Sequence, residues 1–160
     1  MNVSVRPFQP ADGPELLDIY FDAVRNGTHR HYSAEQAAAW APDLPPLDSD
    51  ETRAWTRRIA ATTCFVATSG PDPVGFMSLT DDGHIDLAFV RPRWMGGDVA
   101  AHLYDHLLER ARATGQTRLS CDASHLFRRF LMRRGWQGDQ PEHIQRQGVT
   151  LTRWPMFLNI

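Results

Sequence analysis

His84 and Asp86 stand two residues apart in His84-Ile85-Asp86-Leu87-Ala88-Phe89-Val90, a segment whose composition reads as a strand. Side chains of a strand alternate between faces, so an imidazole and a carboxylate at this spacing look to the same side. Imidazole titrates near neutrality and can accept a proton directly or through water. Beyond the strand, Arg91-Pro92-Arg93-Trp94 leads into Met95-Gly96-Gly97-Asp98-Val99-Ala100, where two glycines precede a helix. The first amides of a helix have no intrahelical acceptor, and the dipole adds positive potential, so main chain alone can hold a phosphate there.

The elements that position these groups follow from periodicity. Val3 to Phe8 reads as a short strand, with Asp12 as the expected N-cap of a helix carrying Leu16, Leu17, Ile19, Tyr20, Ala23 and Val24. Ser33 and Gln36 form a capping-box pattern for a helix through Trp40 that Pro42 ends, and a third helix holds Trp55 and Ile59. Strands are expected at Cys64 to Ala67, Val74 to Leu79 and His84 to Val90, as an antiparallel meander. From Asp98 to Thr114 an apolar stripe of Val99, Leu103, Leu107 and Ala111 gives an amphipathic helix. A strand at Arg118 to Cys121, a helix closed by Gly135 and a final hairpin turning near Gln147-Gly148 complete the chain. The expected class is α/β (α+β): a mixed, mostly antiparallel sheet of about six to seven strands flanked by helices, in one domain over residues 1–160.

Composition bounds the partners. The formal net charge of −2 provides no basic field to gather nucleic acid or an anionic membrane. No apolar run approaches the ~18 residues of a membrane span, and a cytoplasmic location is expected. Cys64 and Cys121 lack metal-ligand spacing and read as buried thiols. His29-x-His31 offers two imidazoles without a third ligand, so no metal site is expected. All seventeen basic residues are arginines, which excludes lysine as a base, Schiff-base former or self-acetylation site.

The order of elements and several motifs resemble the GNAT superfamily of acetyl-CoA-dependent N-acyltransferases over nearly the whole chain. Val90-x-Pro92-x-Trp94 matches the family's V-x-P-x-aromatic exit from its central strand, and residues 95–100 fall on its Q/R-x-x-G-x-G/A loop. Phe130 to Trp136 is similar to its F-x-x-x-x-G-F/W element, and GVTLTRWPM to its last strand. The resemblance implies transfer of an acetyl or related acyl group from acyl-CoA to a small-molecule or protein amine. Acetyl-CoA would lie on the main chain of Ala88, Phe89 and Val90 and on the loop Met95, Gly96, Gly97, Asp98, Val99 and Ala100, with Asp122, Ser124 and Phe127 near its pantetheine arm. His84 and Asp86 would serve catalysis, and His31, Tyr32 and Trp40 would meet the acceptor.

The resemblance also carries departures. Met95 stands where the family has Gln or Arg, Asp98 replaces its central Gly, and Leu131 replaces its usual tyrosine acid. Asp98 reads either as a helix cap or as a carboxylate opposing a bound pyrophosphate, with Arg91 and Arg93 offsetting its charge. Arg128, Arg129, Arg133 and Arg134 form a basic face from which two could reach the 3′-phosphate of CoA. An acyl-CoA-binding or protein-interaction module without catalysis is the alternative, and a homodimer through the C-terminal strands is compatible with the resemblance.

Overall fold

The computed structural model describes residues 2–27, 32–41, 43–138 and 140–160. The expected elements appear as β1 (Ser4–Pro7), α1 (Gly13–Gly27), α2 (Ala34–Trp40), α3 (Asp50–Ala60), β2 (Thr63–Ser69), β3 (Asp72–Leu79), β4 (His84–Val90), α4 (Val99–Ala113), β5 (Arg118–Ala123), α5 (His125–Met132), β6 (Glu142–Arg146) and β7 (Val149–Asn159). Short 3₁₀ turns at Pro10–Asp12 and Pro92–Trp94 lead into α1 and out of β4. No described helix is long and apolar enough to cross a membrane.

The strands form one seven-stranded sheet in the order β1-β2-β3-β4-β5-β7-β6. All neighbours are antiparallel except β4 and β5. On one face α4 buries Val99, Leu103, Leu107 and Ala111 against Met77, Ile85 and Leu119. On the other, α1 and α3 bury Leu16, Ile19 and Ile59 against Val66, Phe76 and Leu87. Leu103 and Leu107 are fully buried, so truncation of either to alanine belongs in the range of about 2–5 kcal/mol.

Local chemistry explains several boundaries. Ser33 Oγ accepts from Gln36 N–H while Gln36 Oε1 accepts from Ser33 N–H, the reciprocal box read from the sequence. Gln147 (φ 51°) and Gly148 (φ 75°) both occupy left-handed backbone between β6 and β7, the geometry of a two-residue hairpin turn.

Asp12 departs from expectation. Its carboxylate does not serve α1 but turns back, accepting from Gln9 N–H at 2.8 Å and from both terminal nitrogens of Arg6 at 2.8 Å each. A bidentate guanidinium outcompetes a helix amide for two carboxylate oxygens, and the pair ties β1 to the turn before α1.

The Arg6 hydrogen bonds hold the Asp12 carboxyl below the usual carboxylate range. A carboxyl lowered by folding stabilises the fold above its unfolded pKa, and that contribution disappears as pH falls through the folded value. Asp12→Asn should therefore lower the unfolding free energy by about 1–2 kcal/mol at neutral pH. Denaturant titrations of variant and wild type should converge in acid; a gap that persists unchanged there would refute the pairing as its origin.

Candidate active site

The site grows from a mismatch in β4. Ser78 pairs with Leu87 and Leu79 with Ile85, so Asp86 is an extra residue opposite β3. A bulge of this kind sends two consecutive side chains to one face. Ile85 packs with Leu103 and Leu107 beneath α4, whereas Leu87 joins Leu16 and Ile59, and Asp86 meets Arg58 of α3. His84 and Asp86 thus share a face with Leu87 and Phe89.

The bulge also re-aims the main chain. Parallel pairing with β5 is confined to His84/Ser120 and Ile85/Cys121, after which the strands separate. Arg91 N–H donates to Val74 O, so the antiparallel alternation directs the main-chain groups of Leu87 and Phe89 to β3 and those of Ala88 and Val90 into the gap. Of the main-chain groups expected to carry acetyl-CoA, those of Ala88 and Val90 open to the gap and those of Phe89 do not.

A cleft of about 440 Å³ lies over this opening. Its walls bring together His84, Asp86, Ala88, Phe89, Asp122, Ser124, Phe127, Tyr32 and Trp40 from the sequence reading. His31 and His29 lie outside the described residues. Trp55 of α3 also lines the cleft, as does the buried Cys121. Aromatic rings dominate one wall: Tyr20 meets Phe89 edge-on at 4.8 Å and Trp55 at 5.5 Å, and Tyr32 meets Trp40 at 5.5 Å.

The polar groups are matched in pairs that the sequence reading missed. His84 Nδ1 lies 2.8 Å from Ser120 Oγ, and its Nε2 lies 3.7 Å from Asp122 Oδ2. Both Asp86 oxygens accept from Arg58, at 2.9 and 3.1 Å. Both Asp86 oxygens are thus occupied by α3, while His84 Nε2 faces the Asp122 carboxylate. The Ser120–Asp122 spacing on β5 was a legible signal, because two residues of one strand share a face; the parallel register beside His84 was not.

The remaining predicted residues sit at the other end of β4. Gly96 adopts φ 80°, which only glycine takes without strain, and a side chain there would meet open space. The helix ladder begins with His102 N–H to Asp98 O, leaving the amides of Val99, Ala100 and Ala101 without an intrahelical acceptor. Asp98 occupies the N-cap position, is exposed, and makes no side-chain cap bond. The capping alternative is thereby removed. Val99 is buried in the core, so only its main chain faces outward, and Met95 lays its thioether on Gly27 of α1.

Arg91 was expected to offset the Asp98 charge. Instead Asp18, Asp22 and Glu15 of α1 hold its guanidinium at 2.8, 3.0 and 2.8 Å, clamping the exit of β4 to α1. Arg93 stays exposed, with its guanidinium near Trp94. In the basic face, Arg134 packs over Phe130 at 3.8 Å and Arg128 over Trp154 at 5.2 Å, leaving Arg129 and Arg133 exposed.

Residues 28–158 match the family model described as an acetyltransferase (GNAT) domain. The chain belongs to the GNAT acetyltransferase family. Among curated relatives, the uncharacterized N-acetyltransferase YafP of Escherichia coli K12 is 31% identical over 155 residues, covering 97% of this chain and 95% of YafP. A GCN5-related N-acetyltransferase from Rhodopseudomonas palustris, also described as "Aminotransferase, Class-II", is 30% identical with a TM-score of 0.88, covering 100% of this chain and 97% of that one. The putative acetyltransferase yncA of Salmonella typhimurium, solved with acetyl-CoA, shares the fold at 19% identity and a TM-score of 0.73, covering 99% and 94% of the two chains. Within this GNAT chain, Leu131 is fully buried in the core beside Tyr104 and Trp136, so no phenol occupies that position.

Ser124 belongs to both the cleft and the helix behind it, because its Oγ accepts from Phe127 N–H as the N-cap of α5. Ser124→Ala should lower stability by about 1 kcal/mol, measured by chemical denaturation without ligand. A variant as stable as wild type would show that the cap contributes nothing.

Proposed function

We propose that this GNAT acetyltransferase moves an acetyl group from acetyl-CoA to an amine by direct attack on the thioester, with His84 as the base. The observation that carries the reading is the divergence of β4 from β5 between an open helix N-terminus at Val99 and an imidazole at His84. The residues present suit acetyl-CoA: the amides of Val99, Ala100 and Ala101, beside the unhindered Gly96, would hold the pyrophosphate. The main chain of Ala88 and Val90 would hold the amide-bearing arm within the gap, and Val90 N–H would donate to the carbonyl oxygen as charge develops there.

Acyl transfer requires an unprotonated amine. With Nδ1–H donated to Ser120 Oγ, His84 presents the Nε2 lone pair and takes the amine proton there; the new imidazolium faces the Asp122 carboxylate. Asp122 and Ser120 act on this step through His84, as positioning residues. The leaving thiolate is a far better leaving group than an alkoxide, so it can depart without the missing tyrosine. Burial raises the pKa of Tyr32, keeping a neutral phenol on the same cleft; its oxygen already accepts from His125 N–H.

The non-catalytic alternative draws on the buried Leu131 and the exposed Asp98. Thiol release against an amine panel, beside calorimetric titration of acetyl-CoA, separates the two: binding without turnover favours the module. For the enzyme, His84→Ala should lower kcat by about 10²–10⁴ with acetyl-CoA affinity intact. Unaltered turnover would end the role of His84. Asp98→Gly removes a carboxylate from the pyrophosphate cradle and should tighten acetyl-CoA binding by about fivefold. Equal affinities would show that Asp98 turns away from the ligand.

A further inference from the structure

The cleft holds one charge that no described residue neutralises, and it stands far from the reacting end. Arg58 is held by Asp86, Arg153 by Glu142, and Asp122 faces both His84 and Arg153. Arg146, the last residue of β6, is exposed and lines the same cleft, and its side chain forms no hydrogen bond or ion pair with a described residue. Its field reaches the aromatic wall: burial raises the pKa of Tyr20, and Arg146 opposes that rise.

The distribution of charge selects among acceptors. With Glu142 counted beside Arg153, the carboxylates of Asp86, Asp122 and Glu142 balance the guanidinium groups of Arg58, Arg146 and Arg153, and of these six Arg146 is the one without a side-chain partner among the described residues. A polyamine or a lysine-rich tail would bring like charge to the unpaired Arg146, which disfavours it at that end. An uncharged acceptor that covered Arg146 would desolvate a guanidinium without giving it a partner. An anion satisfies it, and the rings of Tyr20, Tyr32, Trp40, Trp55, Phe89 and Phe127 favour a flat apolar body between the two ends.

Register fixes where the ends must be. Arg146 pairs with Val149 and Asp122 with Pro155, and that stretch of β7 spans roughly 20 Å at about 3.3 Å per residue. Both side chains reach inward to a shared cleft, which shortens the distance, yet the two polar ends stay apart. Amine and anion therefore belong at opposite ends of the acceptor, unlike the single carbon that carries both in an α-amino acid.

We propose that the acceptor is an arylalkyl amine bearing a carboxylate at its far end, seated on Arg146 while its amine reaches His84. This rests on the acetyltransferase reading above and goes further by naming the acceptor class. The matched probes are 4-(2-aminoethyl)benzoate and 2-phenylethylamine, which share ring and amine and differ in the carboxylate. Wild-type enzyme should acetylate the benzoate with kcat/KM at least tenfold above its neutral analogue, and Arg146→Gln should erase that preference, mainly by raising KM for the benzoate. Arg146→Lys should restore part of it.

Calorimetry with acetyl-CoA accompanies the assay. No binding of acetyl-CoA would overturn the acetyltransferase reading and the acceptor class with it. Acetyl-CoA binding with equal or greater activity toward 2-phenylethylamine, or with turnover of neither probe while other amines of the panel are acetylated, would overturn the acceptor class alone; turnover of no amine at all would overturn both. An equal loss for both amines in Arg146→Gln would likewise overturn it, since it would give Arg146 a structural role only.

Discussion

The arrangement depends on one extra residue in β4. Without Asp86 opposite the Ser78–Leu79 step, Ile85 and Leu87 would fall on the same face, and the strand would bury its alternation uniformly. With it, Ile85 stays under α4 while Asp86, Leu87 and Phe89 turn to α1 and α3, and the amides of Ala88 and Val90 swing from β3 toward a neighbour that has moved away. A parallel ladder that stops after two residue pairs would normally leave costly unpaired main chain. Here Ala88 borders a cleft of about 440 Å³, where water or a ligand amide can satisfy its main chain.

Holding such an opening apart requires rigid struts, and the chain builds them from arginine. Arg91 fastens the exit of β4 to three carboxylates of α1, Arg58 fastens the bulge to α3, and Arg6 fastens β1 to the turn before α1. Arg91 and Arg58 join elements distant in sequence and Arg6 closes a local turn, and a planar guanidinium does this with two directed hydrogen bonds where an ammonium would offer a point charge. The complete absence of lysine has a second consequence for a family that transfers acetyl groups: no side-chain amine of the protein competes with the acceptor.

Legibility in the sequence followed the range of each interaction. The bounds of β4, the Ser33–Gln36 box, the Gln147–Gly148 turn and the apolar stripe of α4 are local patterns, and each appears where the periodicity or turn chemistry placed it. The open amides after Gly96 are local as well. What escaped is set by partners across the fold. The bulge exists only relative to β3, and the pairing of His84 with Ser120 exists only because β5 lies parallel beside β4. Arg91 was misread for the same reason, because three α1 carboxylates occupy it; Asp12 was misread although Gln9 and Arg6 are near in sequence, because a carboxylate before a helix fits either a cap or a turn-closing pair.

Leu131 shows how a missing functional group alters the balance of the cleft without leaving a hole. Fully buried with Tyr104 and Trp136, it completes the core that fixes α5, while Trp136 Nε1–H donates to Tyr104 Oη at 2.9 Å behind it. A phenol at that position would carry a hydroxyl into an apolar contact, so leucine stabilises the helix where tyrosine would need an exit to the cleft. The consequence is felt at the opposite wall. Tyr32 accepts from the first amide of α5, coupling the acceptor side of the cleft to the helix that lost its hydroxyl. In the mechanism proposed above, catalysis would lean on His84 to remove a proton and on the low basicity of the thiolate to let it leave, and the aromatic wall would then be free to select the acceptor.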